Sequence, residues 1–311
     1  MQILLASKVS GPEFDVWVPA LQQALPEHSI VTEVTAENCA DIEVAIVYQP
    51  LKNTLSALPN LRFFHTLSAG INGILEDSSI PTEIPFARLA DPAMADTMAE
   101  TALMLTLMAH RNALGYIQQQ HNSVWQALPQ TPAADVTVSI LGLGNMGIKT
   151  AKLIAGIGYP TLGWSRRQKT LDTINCLSGN DGLLEILHQS DIVINLLPLT
   201  TETEGLFNKE TFEKMKSTAT FINLARGGHV VEEDLLSALN EGTLKHAMLD
   251  VFNVEPLPAD HAFWHHAKVT ILPHIAAITD PKTASAVVAQ NITAFLRGDP
   301  VAHIVDRSRE Y

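Results

Sequence analysis

The residues best equipped for chemistry begin at Gly142-Leu-Gly144-Asn145-Met146-Gly147, which directly follows the apolar run 136–141 and leads into a helical stretch, 148–157. Strand, glycines and helix in that order form a dinucleotide-binding fingerprint. Gly142 permits the tight turn, Gly144 lets a pyrophosphate approach the backbone, and Gly147 lets the helix pack close to the strand. Around Asn145 and Met146 the helix start offers unpaired N–H groups and a positive dipole end to the phosphates. The competing reading is a glycine-rich turn in a fold that binds nothing.

The next strand ends in Gly163-Trp164-Ser165-Arg166-Arg167-Gln168-Lys169. An NAD site usually places a carboxylate about 20 positions after the glycines, where it accepts from the ribose 2′-hydroxyl. Ser165 stands there instead, so no charge repels a 2′-phosphate, and Arg166, Arg167 and Lys169 follow. The expectation is NADP(H), with Arg166 as the direct phosphate partner and Arg167 beside it. A solvated basic turn is the alternative.

Farther along, three segments each close an expected strand with a reactive side chain. They are Asn223-Leu-Ala-Arg226-Gly-Gly, Asp250-Val-Phe-Asn-Val-Glu255-Pro256 and Pro273-His274-Ile-Ala-Ala. In open α/β sheets the carboxyl ends of the strands form the ligand crevice, so distant side chains converge there. Singly, an arginine-glycine loop, a glutamate-proline turn and a lone histidine mean little. Their order after a dinucleotide fingerprint is the informative feature.

These residues need a scaffold. Short apolar runs at 3–6, 44–47 and 63–67 read as buried parallel strands, with 12–25 long enough for a crossover helix. From about 94 to 120 the chain lacks proline and is rich in Ala, Leu, Met and Gln, which predicts one long helix. After the proline-containing link 128–132, six strands are expected at 136–141, 161–164, 191–197, 220–224, 246–251 and 269–272, the count of a doubly wound coenzyme domain. A last helix is expected over 281–296, stopped by Gly298.

The chain has 311 residues, 46% of them hydrophobic, which is enough for two compact domains and too apolar for disorder. Its formal net charge of −13 repels nucleic acid and anionic membranes, so any anionic ligand requires a local cationic site. Cys39 and Cys176 lie far apart without metal-ligand spacing, which argues against a disulfide framework or structural zinc and suits a reducing cytoplasm. The start, Met1-Gln2-Ile3-Leu4, lacks the basic segment and long apolar region of a signal peptide and reads as a first strand. Residues 102–109 are too few to span a bilayer.

Across essentially its whole length the sequence resembles the D-isomer-specific 2-hydroxyacid dehydrogenases. The segments from Asn195-Leu-Leu197-Pro198, Asn223, Ala247 and Thr270 most resemble the NADPH-dependent glyoxylate/hydroxypyruvate reductase A group. The resemblance implies a catalytic trio of Arg226, Glu255 and His274. It also implies that Leu197, Pro198 and Asp250 contact the coenzyme, and that Ser68, Ala69 and Gly70 present N–H groups to the substrate carboxylate. A guanidinium binds a 2-oxo acid bidentately, and a protonated imidazole near the carbonyl oxygen is a general acid whose charged form a neighbouring carboxylate favours. No metal is required.

The expected architecture is α/β, with a Rossmann-type doubly wound coenzyme domain (99–280) inserted into a flavodoxin-like substrate domain (1–98 and 281–311). The active site is expected in the cleft. The implied reaction is NADPH-dependent reduction of glyoxylate and hydroxypyruvate by a cytoplasmic homodimer, with Arg226 and His274 also touching substrate. Reduction of a bulkier 2-oxo acid and a coenzyme-sensing corepressor on the same scaffold remain as alternatives. The end at Tyr311, with no appended regulatory domain, disfavours many phosphoglycerate dehydrogenases. Asn72 stands where many relatives have Asp. Trp125 is read as a pocket wall or as core, and His110, His121, His265 and His266 as structural or solvated.

Overall fold

A computed structural model describes residues Met1–Arg307. The chain divides into two units, Met1–Met94 together with the segment from Thr279, and Ala95–Ile278.

The first unit is built on a parallel sheet of five strands: β1 (Gln2–Ser7), β2 (Ser29–Val31), β3 (Ile42–Tyr48), β4 (Phe63–Thr66) and β5 (Phe86–Ala87), ordered β2-β1-β3-β4-β5. This is the flavodoxin-like order. Alternate residues serve opposite faces. Ile3, Leu5, Val44, Ile46 and Phe63 pack with Leu21, Val288 and Ile292, whereas Leu4, Ala45, Val47 and Phe64 pack with Leu58 and Ile74. The helix Pro281–Arg297 starts where Asp280 accepts from the Lys282 N–H and ends at Gly298, whose φ of 74° closes it in the left-handed region. Two strands escaped the reading of apolar runs because β2 and β5 span only 3 and 2 residues.

In the second unit all strand pairings are parallel. The strands are β6 (Val138–Leu141), β7 (Thr161–Trp164), β8 (Asn175–Leu177), β9 (Ile192–Asn195), β10 (Thr220–Asn223), β11 (His246–Leu249) and β12 (Val269–Ile271). They lie in the order β12-β11-β10-β9-β6-β7-β8. The direction of winding reverses between β6 and β9, the topological switch point of a doubly wound sheet. The sheet has seven strands rather than the expected six, because the short edge strand β8 carries too little apolar signal. One face packs Leu141, Trp164, Phe221 and Leu249 against Phe207 and Phe212; the other packs Ile140, Ile194, Ile222 and Met248 against Leu143 and Ile154.

The single helix expected over 94–120 is two helices, Pro92–His110 and Ala113–His121. Asn112 breaks it with φ 56°, a left-handed conformation that Asn tolerates better than most residues, while its Nδ2 donates to the Pro129 carbonyl at 3.0 Å. Trp125 is fully exposed, which corrects the core-packing reading. His110 is structural: its ring meets the Tyr159 hydroxyl at 2.6 Å and the Thr131 carbonyl at 2.7 Å. Among the described residues no helix is long and apolar enough to cross a membrane.

Candidate active site

One row of paired Cα positions crosses the carboxyl edge of the larger sheet: Ile271, Leu249, Asn223, Asn195, Leu141, Trp164 and Leu177. Each functional residue expected in this unit lies just beyond the row. Gly142 and Ser165 follow β6 and β7 directly, Leu197 and Pro198 follow β9, and Arg226 follows β10. Asp250 and Glu255 follow β11, and His274 follows β12. The parallel topology thus gathers side chains that the sequence scatters.

Glu255 uses both oxygens. Its Oε1 accepts from the Phe252 N–H at 2.9 Å, and its Oε2 lies 2.7 Å from Nδ1 of His274. This fixes the imidazole by Nδ1, the nitrogen opposite Nε2. His274 is half-exposed and has φ 56°, strained for a residue with a side chain. Asp250, 1% exposed, restrains that turn by accepting from the N–H groups of Ile275 at 2.7 Å and Ala276 at 3.0 Å. Burial pushes the Asp250 carboxyl up from its ordinary range, opposed by those two N–H groups and by His274. A carboxylate has further lone pairs, so this anchoring role leaves capacity for a ligand contact.

Arg226 is seated by its backbone. Asn195 Nδ2 donates to Asn223 Oδ1 at 3.0 Å, Asn223 Nδ2 donates to the Arg226 carbonyl at 3.0 Å, and Asn195 Oδ1 accepts from the Leu197 N–H at 3.1 Å. Both asparagines are fully buried, so their amides are committed to holding the loops after β9 and β10. A Cβ on Gly227 would fall 2.0 Å from the Phe252 carbonyl carbon, so only glycine lets the Arg226 turn press against the loop carrying Glu255. The Arg226 guanidinium donates to the Ala225 carbonyl, and burial draws its pKa below the usual arginine range while Glu255 opposes the shift. The sequence reading missed the positioning role of Asn195 and Asn223; two asparagines closing apolar strands were the available signal.

The glycine turn fits a dinucleotide. Gly142 has φ 103°, and a Cβ there would fall 2.5 Å from the Leu196 carbonyl oxygen; one on Gly147 would fall 1.8 Å from that of Gly142. A Cβ on Gly144 would meet nothing within 4 Å, so this cap of the helix Asn145–Gly156 is open to an incoming phosphate. Beyond β7, Ser165 Oγ donates to the Arg167 carbonyl at 2.8 Å, Arg166 lies 3.3 Å from Glu202 Oε2, and Lys169 bonds the Leu143 carbonyl of the glycine turn. Arg166 and Arg167 are exposed. No group of three or more His, Cys, Asp and Glu side chains among the described residues forms a metal site.

In the first unit, Ser68, Ala69 and Gly70 follow β4. Thr66 Oγ1 donates to the Ser68 carbonyl at 2.6 Å and Ser68 Oγ to the Gly70 carbonyl at 2.9 Å, which folds the loop upon itself. Their N–H groups make no backbone hydrogen bond among the described residues. Beneath the loop, buried His65 places Nδ1 2.8 Å from the Thr66 carbonyl and Nε2 3.0 Å from Asn291 Nδ2.

With this geometry established, residues 103–276 match the model of the D-isomer specific 2-hydroxyacid dehydrogenase NAD-binding domain. A D-isomer specific 2-hydroxyacid dehydrogenase of Xanthobacter autotrophicus Py2, solved with NADPH and MES, is 34% identical with a TM-score of 0.94, covering 100% of this chain and 99% of that one. This chain belongs to the D-isomer-specific 2-hydroxyacid dehydrogenase family. Two further members align over 100% of this chain and 99% of theirs. They are the NADPH-dependent glyoxylate/hydroxypyruvate reductase of Sinorhizobium meliloti, solved with NADP and sulfate (30% identity, TM-score 0.93), and a probable 2-hydroxyacid dehydrogenase of Rhizobium etli, solved with NADP, HEPES and L(+)-tartaric acid (31%, 0.90). As a 2-hydroxyacid dehydrogenase, the chain has an α/β fold throughout, with parallel sheets.

Proposed function

We propose that this dehydrogenase reduces small 2-oxo acids with NADPH, glyoxylate to glycolate and hydroxypyruvate to D-glycerate. The single observation carrying the reading is the His274–Glu255 contact of 2.7 Å at the same sheet edge as Arg226. The guanidinium of Arg226 binds the substrate carboxylate and polarises the adjacent carbonyl. His274 Nε2 gives its proton to the carbonyl oxygen as alkoxide character develops, and Glu255 stabilises the charged ring through Nδ1. In the reverse direction, neutral His274 takes the proton back. Ser68, Ala69 and Gly70 add N–H groups for the carboxylate.

When bound, the coenzyme supplies the hydride. Gly142, Gly144, Asn145, Met146 and Gly147 would hold its pyrophosphate, Ser165, Arg166 and Arg167 its 2′-phosphate, and Leu197, Pro198 and Asp250 its nicotinamide end. NADP(H) is supported by Ser165 in place of a carboxylate and by the NADP-bound relatives. We assign the domains as 1–98 with 281–311 for substrate and 99–280 for coenzyme, and the setting as cytoplasmic.

A spectrophotometric panel of glyoxylate, hydroxypyruvate, pyruvate and phenylpyruvate, each with NADPH and NADH, tests the reading. The highest kcat/KM is expected with the first two acids and NADPH. A preference for phenylpyruvate would replace it with a bulkier-substrate reductase. Coenzyme binding without turnover of any acid would favour the corepressor-like alternative.

A further inference from the structure

His229 is fully buried, and its ring nitrogens face two different loops of the candidate site. Nδ1 lies 3.1 Å from the Arg226 carbonyl oxygen and Nε2 3.2 Å from that of Pro198. Both partners only accept hydrogen bonds, whereas a neutral imidazole carries one N–H. Burial, above all, draws the His229 pKa below the ordinary histidine range, against the pull of the two carbonyls. The neutral ring thus donates to only one of the two carbonyls, and with the proton on Nε2 that bond joins the Arg226 turn, on which His229 sits, to the Pro198 loop.

Other bonds hold the turn from both sides. Thr203 Oγ1 donates to the Pro198 carbonyl at 2.7 Å, and the Phe207 N–H donates to the His229 carbonyl at 2.9 Å. Asn223 also serves the Arg226 carbonyl. Removing the imidazole leaves the Arg226 carbonyl to Asn223 and to the His229 N–H at 3.4 Å, and the Pro198 carbonyl to Thr203, so the direct link between the two loops is lost before the fold is. No part of the proposed chemistry uses this histidine, yet it lies between a loop assigned to the coenzyme and the residue assigned to the substrate.

We propose that His229 is a positioning residue that ties the Arg226 backbone to the Pro198 loop and thereby sets the guanidinium for the substrate carboxylate. The inference rests on the reductase reading. It predicts that His229→Leu raises KM for glyoxylate about tenfold, the scale of one lost buried hydrogen bond, while His229→Gln, which keeps a donor, recovers most of the loss. NADPH affinity of the Leu variant, from nucleotide fluorescence without substrate, should stay within about threefold, because the phosphates are assigned to the glycine turn, Arg166 and Arg167.

A Leu variant with unchanged KM, or Leu and Gln variants impaired alike, would overturn the proposal. A readout independent of turnover is the imidazole N–H signal of the ¹⁵N-histidine-labelled full chain, identified by its loss in His229→Gln. Slow solvent exchange is expected, and rapid exchange would overturn the bridge. If the parent chain reduces no 2-oxo acid, the reductase reading fails, and the bridge stands or falls on that signal.

Discussion

Asp250 holds His274 in place without touching its ring: both carboxylate oxygens accept from the two backbone N–H groups that follow His274, at 2.7 and 3.0 Å. Those bonds stabilise a turn in which His274 has φ 56°. Asp250→Asn would face an amide donor toward one of the N–H groups. Loss of a buried, charge-assisted bond predicts a stability decrease of about 2 kcal/mol with a parallel fall in kcat. Urea denaturation and steady-state kinetics check this; unchanged stability would remove the anchoring role.

Glu255 should act on turnover more than on binding. In Glu255→Gln one amide oxygen replaces two carboxylate oxygens, so Nδ1 of His274 and the Phe252 N–H compete for it and the compensating charge is lost; kcat should fall by roughly 10²-fold, at the low end of general acid catalysis, with KM changing far less. A variant with the parent kcat would exclude Glu255 from the proton-transfer machinery.

Coenzyme choice should follow the end of β7. Replacing Ser165 by Asp and Arg166 by Ala restores a partner for a ribose hydroxyl and removes a cation facing a 2′-phosphate. The ratio of kcat/KM for NADPH to that for NADH should drop by roughly tenfold or more, corresponding to at least about 1.4 kcal/mol. An unchanged ratio would contradict the assignment of this turn.

Acid should weaken the first unit through His65. Burial holds this ring at a pKa of about 4, against an ordinary value of 6.5. Between those values the unfolded chain binds more protons than the folded one, so stability rises with pH and falls on acidification. From pH 7 to pH 5 the loss from this one residue is about 2 kcal/mol. His65→Gln should flatten the dependence over that window, whatever it does to stability at pH 7. An unaltered slope in urea titrations at the two pH values would show that His65 is not buried in the neutral form.

We propose a homodimer, by analogy with the family; the helices Pro92–His110 and Ala113–His121 leave Met104, Leu107 and Ile117 exposed as a surface for it. Large exposed apolar side chains mark association surfaces when they form one patch. Sedimentation equilibrium should give twice the chain mass, and Leu107→Glu with Ile117→Glu should give the monomer. A monomeric parent chain would overturn this expectation.

Much of the candidate site was legible because its residues lie in short local motifs. The glycine turn joins strand to helix within a few residues, and Arg226, Glu255 and His274 each follow a strand of apolar residues. Parallel pairing then brings those three ends together. What escaped reading depends on tertiary context. The β8 edge strand is 3 residues long, and Asn112 breaks a stretch of good helix formers because its side chain finds the Pro129 carbonyl. Asn195, Asn223 and His229 look like ordinary polar residues until burial shows that their hydrogen-bonding groups hold the site loops.

The most direct measurement compares the parent chain with His274→Gln for NADPH oxidation by glyoxylate, alongside NADPH binding to each. Clear turnover by the parent, a fall in kcat of roughly 10² to 10⁴ in the variant, and NADPH affinities that agree are expected. A His274→Gln enzyme that reduces glyoxylate at the parent rate would contradict the general-acid role of His274.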